Sequence, residues 1–553
     1  MSDHANNTLI EALQVLEDVV QASEDKKANI ISDYAALYSD LKRPPKMDEL
    51  TAKGYTKDSI KHHFSSLARL DGIAREVYPD QFFDVSIDSM ITQDTLDIMR
   101  QKIASHRRFV ITTAVTGCAV DHQFLESIRS YCLSHEALLC VLVASDPAHA
   151  KGRSGYGFID RALTDDCIIL EDSRINSNLL LSTIKLSAKQ QDPSASLSRI
   201  GQRNGSLIFA SPKQRLQLVA TSNVKLPHAI MSTGAITVAN YDTDRYMSER
   251  TAYLAHSDHI MGALIVELED DNIYHYRQFQ AAPDGSFPDL AVRYFPDGST
   301  MPDEPSLVMG DWHSNETDPA VRQGTDEICQ QLGIVDLIVH DGFNGESVNH
   351  HEEHNLLSKA MRFKNSAITL EQEIKGFASD LSWMTARVKG QVVVVKSNHD
   401  EFLSKHYLQK AKYAQDPQNH YYSLDLAKAM MEGHDALQFA VSKNLTWAEN
   451  KKIRWLERDE DYMIGGVQCG AHGDKGPNGS RGSLASMEKA YGSSVTGHSH
   501  TPGILRGAWA VGTSTYLKLG YNQGPSSWLQ AHCLVYADGS RQLINFINGR
   551  WRA

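Results

Sequence analysis

The sequence predicts an α/β protein in three parts: a helical N-terminal module, a mixed α/β middle region, and a C-terminal region where strands alternate with polar loops. Three observations carry this prediction. Apolar residues recur at helical spacing near the N-terminus. A strand–helix–strand pattern runs from Phe109 to Ala144. From Ser306 onward, short Val/Ile/Leu runs end repeatedly in loops rich in Asp, Asn and His.

The chain has 553 residues, enough for three or four domains, with 41% apolar and 22% charged residues, the balance of a soluble globular protein. No apolar run approaches the roughly 20 residues needed to span a membrane. The N-terminus, Met1-Ser2-Asp3-His4, lacks the basic region and apolar core of a secretory signal, so the expected location is the cytoplasm, without membrane partners. Seven dispersed cysteines with no CxxC pair point to reduced, mostly buried thiols rather than disulfides or a zinc–thiolate cluster. The net charge of −13 disfavours nucleic-acid binding over the whole surface, yet local fields outweigh totals. Two divalent cations set against the carboxylates Asp311 and Asp341 would leave a centre that attracts anions.

Residues 1–41 are the N-terminal helices. Leu9, Leu13, Leu16 and Val20 recur at helical spacing, Ile10 and Val19 widen the stripe, and Pro44-Pro45 ends the segment. The stripe suits a helix packing on its own chain and is too short for a coiled coil. Residues 42–80 read as a small helix-turn-helix-like module. Met47 to Lys53 is helical, Gly54-Tyr55 is a turn, and Thr56 caps a second helix with Ile60, Phe64, Leu67 and Leu70 on its apolar face. Between Lys42 and Leu70 seven basic residues stand against three acidic ones, a net +4. Lys42, Arg43, Lys46, Lys57 and Lys61 are therefore candidate DNA contacts, with one helix able to enter a major groove. A helical hairpin with a solvated basic face accounts for the same residues.

Residues 100–300 form the α/β middle region, whose chemistry the sequence does not declare. Phe109 to Val115 reads as a strand, Asp121 to Leu133 as a helix and Ala137 to Ala144 as a strand, a βαβ-like unit. Its Thr116-Gly117 turn carries neither a Walker lysine nor a GxGxxG, which argues against a nucleotide site. The basic segment Lys151 to Gly157 reads as a surface loop. Ile260 to Tyr276 and Leu290 to Tyr294 suggest antiparallel strands, and Pro302 to Pro305 marks the boundary into the last domain, 305–553.

That last domain contains five polar motifs in fixed order: Gly310-Asp311-Trp312-His313, Asp341-Gly342-Phe343-Asn344, Asn398-His399-Asp400, Gly470-Ala471-His472-Gly473 and Gly497-His498-Ser499-His500. Leu307-Val308-Met309 runs into the first, Ile334 to Val339 into the second and Val392 to Val395 into the third. Val467 and Val495 precede the last two. Ligands placed where successive strands end converge on one edge of a sheet. Carboxylate, imidazole and amide donors without a thiolate suit Mn²⁺, Fe²⁺ or Zn²⁺.

In type, order and spacing these motifs resemble those of the calcineurin-like metallophosphoesterases, whose pattern is DxH, GDxxD, GNH(D/E), a lone His and GHxH. The resemblance runs from residue 306 to about 548. It implies a β-sandwich flanked by helices and two divalent ions, Mn²⁺ foremost. Carried over by position, Asp311, His313 and His500 would hold the first ion, Asn398, His472 and His498 the second, and Asp341 would bridge them. His399 would be the catalytic histidine, donating to the leaving alkoxide while the metal pair drives an in-line displacement. Two positions depart from the pattern: His340 and Ser397 stand where Gly is usual, which bears on the turns rather than the ligands. Asn344, where many members carry Asp or His, is expected to act behind the ligands.

Two neighbouring segments are candidate substrate contacts. His350-His351-Glu352-Glu353-His354 lacks the HExxH order, so it reads as the polar start of a helix, with His350 or His351 able to approach substrate. The Gly-rich loop after His472 carries Lys475 and Arg481, which could meet phosphate.

Metal motifs set a reaction class, not a substrate. The basic helical module and the long N-terminal half favour DNA. The whole-chain arrangement resembles the pre-early DNA-degrading nucleases of tailed coliphages of the T-five type. That resemblance implies a manganese-dependent DNase acting in the host cytoplasm on host DNA and in phage DNA entry. Two rivals follow: a phosphomonoesterase or nucleotide phosphodiesterase of the same fold, and a DNA-binding or assembly protein with an inactive hydrolase domain. The helical N-terminus leaves room for a homo-oligomer.

Overall fold

The computed structural model describes residues 2–144, 157–187, 190–222, 225–241, 249–352, 355–357, 360, 369–520 and 522–553. The basic segment 151–156 and residues 353–354 of the histidine run lie outside these, as do the side chains of Leu9, Ile10, Leu13, Leu16 and Val19.

The N-terminal helix is a single element, Ser2–Leu41, where one or two were expected. Its C-terminal part supplies Ile30, Ile31, Tyr34 and Tyr38 to a small core shared with Leu50, Ile60, Phe64, Leu70 and Phe82. Helices Met47–Ala52 and Lys57–Phe64 fall where the sequence places them, and the Thr56 side chain accepts from the Ser59 amide. The second helix does not run through Leu70. It stops at Phe64 because Ser65 turns left-handed (φ 64°) and Ser66 caps a third helix, Leu67–Val77, accepting from the Arg69 amide. Arg75 then ties this module to the rest of the chain: it pairs with Asp71 and Asp84 and lies 4.1 Å over the Phe158 ring.

The expected βαβ unit forms from strands Arg108–Val115 and Leu138–Ala144, paired in parallel around helix His122–His135. It belongs to a five-stranded mixed sheet with Gly262–Leu268 and Tyr274–Gln280 on one side and Cys167–Ile168 on the other.

Two larger mixed sheets frame the motif loops. One has six strands in the order Ile453–Trp455, Val392–Val394, Leu337–Val339, Ser306–Val308, Ala531–Val535 and Arg541–Asn545. The first four are parallel and the last two antiparallel. The period-two alternation of these strands sends side chains into two different cores. Val308, Ile338 and Val393 enter the core shared with the second sheet, while Leu307, Leu337, Val339, Val392 and Val394 pack under helices Pro319–Leu332 and Leu370–Thr385. Burial on both faces is why these strands read as unbroken apolar runs.

The second sheet has ten strands. Val467–Gln468, Ser494–Thr496, Ala508–Ala510 and Gly503–Leu505 from the C-terminal region continue directly into Gln214–Val219, His228–Thr233 and Ser206–Phe209 from the middle region. The seam pairs Ile504 with Leu216 and Leu505 with Arg215. Strand pairing therefore crosses the line drawn at Pro302–Pro305. Among the described residues, no helix is long and apolar enough to cross a membrane.

Candidate metal centre

Asp311, Asp341 and Asn398 follow the C-terminal ends of three adjacent parallel strands, so parallel pairing alone brings their loops to one edge. Backbone hydrogen bonds then fix the loops to one another. The amides of Trp312, His313 and Ser314 donate to the carbonyls of His340, Asp341 and Gly342, and the Asp311 amide donates to Gly512. From the second sheet, His472 follows Val467–Gln468 and His498 and His500 follow Ser494–Thr496.

The side chains meet in two groups able to hold a metal ion: Asp311, His313, Asp341 and His500, and Asp341, His472 and His498. Asp341 belongs to both. The amide of Asn398 adjoins the second group, its Oδ1 3.1 Å from His472 Nε2. His472 Nε2 is 3.1 Å from Asp341 Oδ2, His500 Nε2 is 3.2 Å from Asp311 Oδ2, and the Nε2 atoms of His313 and His500 stand 3.1 Å apart.

Two features fit these donors to a cation. Both carboxylate oxygens of Asp311 and Oδ1 of Asp341 are buried without a hydrogen bond, a costly state that an ion held by these carboxylates would offset. His313, Asp341, His498 and His500 also hold positive φ of 44°, 45°, 72° and 54°. Left-handed backbone at non-glycine residues costs of order 1–3 kcal/mol each and persists where the surroundings dictate where a side chain points.

Electrostatics agree. Burial alone would raise the Asp341 carboxyl, but His472 and His399 outweigh it and hold the group well below the usual carboxylate range. Burial, reinforced by His399, presses His313 down to about 3, leaving it neutral, as a ligand must be. Burial would also lower His472, but the facing Asp341 lifts it to about 9. No thiol joins the site. Cys469 is buried with its Sγ toward the Val467 carbonyl, and none of the seven cysteines is in a disulfide.

His399 stands beside the first group, its ring 4.6 Å from that of His313, and its Nδ1 lies 2.6 Å from the Asn344 carbonyl. Asn344 thus acts through its backbone. The backbone accommodates the two departures from the motif pattern. The left-handed turn falls on Asp341, not His340, and Ser397 is extended (φ −118°), where its side chain accepts from the Asp400 amide. His340 uses the space a glycine would leave by stacking on His472, with centroids 5.6 Å apart and Nδ1 atoms 3.5 Å apart.

The other candidates are distributed unevenly. His350 stacks on His406 at 4.0 Å and on His351 at 3.9 Å. Phe402 bridges this cluster to the centre, 5.0 Å from His350 and 4.6 Å from His399. The Gly-rich loop is a closed turn rather than a loose one: the Gly482 amide donates to Asp474 and the Gly476 amide to Ser480. Lys475 lies 3.4 Å from Glu401, which also binds Lys405 and Arg458, while Arg481 is exposed. In the N-terminal module Arg43 is committed to Glu49, whereas Lys42, Lys57 and Lys61 are exposed and Lys46 precedes helix Met47–Ala52.

Sequence reasoning missed two supports. His532 is fully buried, accepts from the Gly310 amide through Nδ1 and meets Thr325 Oγ1 through Nε2, bracing the turn before Asp311. Trp528 covers His500 with centroids 4.2 Å apart. Neither carries a motif signature, since both act on ligands from a strand or loop distant in sequence.

The chain matches no protein-family model and no solved structure. It is similar to Protein A1 of Escherichia phage T5, with 27% identity over 476 residues covering 82% of this chain and 84% of that protein. The likeness is thus to a T5-type phage protein, over most of both chains.

Proposed function

We propose that the chain is a two-metal-dependent DNase of calcineurin-like architecture that hydrolyses DNA phosphodiester bonds, acting in the infected host's cytoplasm to degrade host DNA and assist phage DNA entry. The observation that carries the reading is the sharing of Asp341 by two buried ligand groups with His399 alongside. Asp311, His313 and His500 would hold one ion, and Asn398, His472 and His498 the other. The nitrogen and oxygen donors suit Mn²⁺ first, then Fe²⁺ or Zn²⁺. Bound there, two such ions would supply a nucleophile at neutral pH and neutralise charge developing on the phosphate.

The chain's own residues do the rest. Asp341, held ionised, fixes the spacing of the two groups. His399 donates through Nδ1 to the Asn344 carbonyl, which orients the ring so that the imidazolium form can give its Nε2 proton to the leaving oxygen. Lys405, Arg458 and Lys475 gather around Glu401 on the helix that begins with Asn398, a cationic rim for a polyanion. The exposed Lys42, Lys57 and Lys61 would add sequence-independent phosphate contacts. Similarity to a phage protein supports the biological setting.

The test is incubation of the full chain with supercoiled plasmid and Mn²⁺, beside EDTA and His399→Ala controls. Metal-dependent nicking or degradation, reduced at least 100-fold in the variant, is expected. Intact plasmid with turnover of a small phosphodiester would refute DNA as the substrate, and no turnover of either would refute the enzyme.

A further inference from the structure

Resting on the nuclease reading, we propose that the middle region completes the catalytic centre by forming a subsite for one nucleobase of the substrate strand. The site is a cavity of about 240 Å³ lined by Arg215, Gln217, Leu484, Thr496, His498 and Pro502, among others. One wall belongs to strand Gln214–Val219 of the middle region, another to the start of helix Leu484–Tyr491, and a third to the segment that carries His498, a ligand of the second group. A cavity of that size, below the usual range of small-molecule sites, suits one base rather than a longer stretch of chain.

Three observations select a base over a phosphate. First, strand Gln214–Val219 brings the half-buried Arg215 and Gln217 to the cavity together with the apolar Leu216 and Leu218, which also line it. Second, among the described residues the one Lys or Arg side chain lining the cavity, Arg215, is already engaged. Arg215 binds Asp192 and the carbonyls of Leu216 and Ile504, which locks the seam between the regions and leaves little for a phosphate. Third, the Gln217 side-chain carboxamide makes no hydrogen bond among the described residues, and it shares the cavity lining with apolar residues that include Leu484 and Pro502. A free carboxamide between apolar surfaces matches a planar base, which offers paired donors and acceptors at its edge and apolar faces on either side. Among the described residues, no carboxylate lines the cavity to repel a polyanion.

The experiment uses the full chain with Mn²⁺ and two short single-stranded oligonucleotides, one intact and one with a single abasic residue stepped along the strand. The wild type is expected to cleave the intact strand with roughly tenfold higher kcat/KM than a strand whose abasic residue falls beside the scissile phosphate. Gln217→Ala, and separately Leu484→Trp to fill the cavity, should erase that preference mainly through KM. Leu484→Trp alone disturbs the helix start, so the half-exposed Gln217→Ala keeps the test decisive. A preference that survives in Gln217→Ala, or no preference in the wild type, would overturn the subsite while leaving the nuclease standing. A wild type that turns over bis(p-nitrophenyl) phosphate but neither oligonucleotide would overturn both.

Discussion

Gly497→Ala is the sharpest structural test of the metal centre. A methyl group at this position would sit 2.2 Å from Asp311 Oδ1 and 3.0 Å from His340 Cβ. Ordinary contact requires more than 3 Å, so the carboxylate must retreat by about 1 Å. Neither neighbour has room to yield. Asp311 and His340 are both wholly buried, and His340 is stacked on His472. Metal–ligand distances tolerate about 0.2 Å, so the displaced carboxylate should lose its ion, lowering affinity at least 10–100-fold. Strain in the metal-free protein should cost about 1–3 kcal/mol, as for other overpacked interiors. The assay is metal content per chain after gel filtration, paired with urea unfolding in EDTA. Full occupancy together with an unchanged urea midpoint would refute the reasoning, because it would mean that Asp311 does not face the ion or that the loop yields freely.

Two further outcomes follow from the same geometry. Asp341→Ala should fail to retain either ion, and full occupancy by elemental analysis would sink its shared role. In the metal-free protein the histidines make stability depend on pH in opposite directions. His472 titrates at about 9 when folded against an ordinary 6.5, so its pairing with Asp341 stabilises fully below pH 6.5 and is lost as pH rises through 9. His313, pressed to about 3, stabilises increasingly as pH climbs from 3 toward 6.5. Urea midpoints measured in EDTA should therefore fall between pH 6.5 and 9, and a flat or rising profile there would refute the His472–Asp341 pairing.

What the sequence made legible, and what it did not, divides by the range of the interactions. The strands leading to Asp311, Asp341 and Asn398 announce themselves because burial on both faces leaves runs such as Val392 to Val395 without polar interruption. The ligand loops are legible because each carries several donor side chains at close spacing. The Ser65 break was hidden, since an apolar face at Ile60, Phe64, Leu67 and Leu70 continues across it while one left-handed serine redirects the chain. His340 could be read only as a missing glycine. Its stacking on His472 joins residues 132 apart in sequence. His532 was invisible for the same reason, holding Gly310 across 222 residues. The seam between Arg215 and Ile504 spans 289 residues and leaves no periodic trace in either segment.

That seam bears on whether the motif-bearing C-terminal region can stand alone. The motif resemblance treats residues from 306 onward as a self-sufficient unit, whereas the ten-stranded sheet does not stop there. In a chain beginning at Pro305, strand Gly503–Leu505 would lose its partner Gln214–Val219 and with it the Arg215 bonds to Ile504. The face of Ile504 and Trp509 would lose Leu216, Met231 and Ile208, which share its core. An unpaired edge beside newly exposed apolar surface is a template for association. Two more ties cross the line: the Tyr276 amide, on the five-stranded sheet, donates to the Asn545 side chain, and the Leu290 amide donates to that of Gln542, both acceptors on the last strand of the six-stranded sheet. A 305–553 fragment is therefore expected to aggregate or to lack metal, and co-expression with residues 1–304 should restore a soluble complex. A monomeric, metal-loaded fragment that hydrolyses a small phosphodiester at the full-length rate would show that the shared sheet is dispensable. In that event the middle region would contribute only to substrate choice.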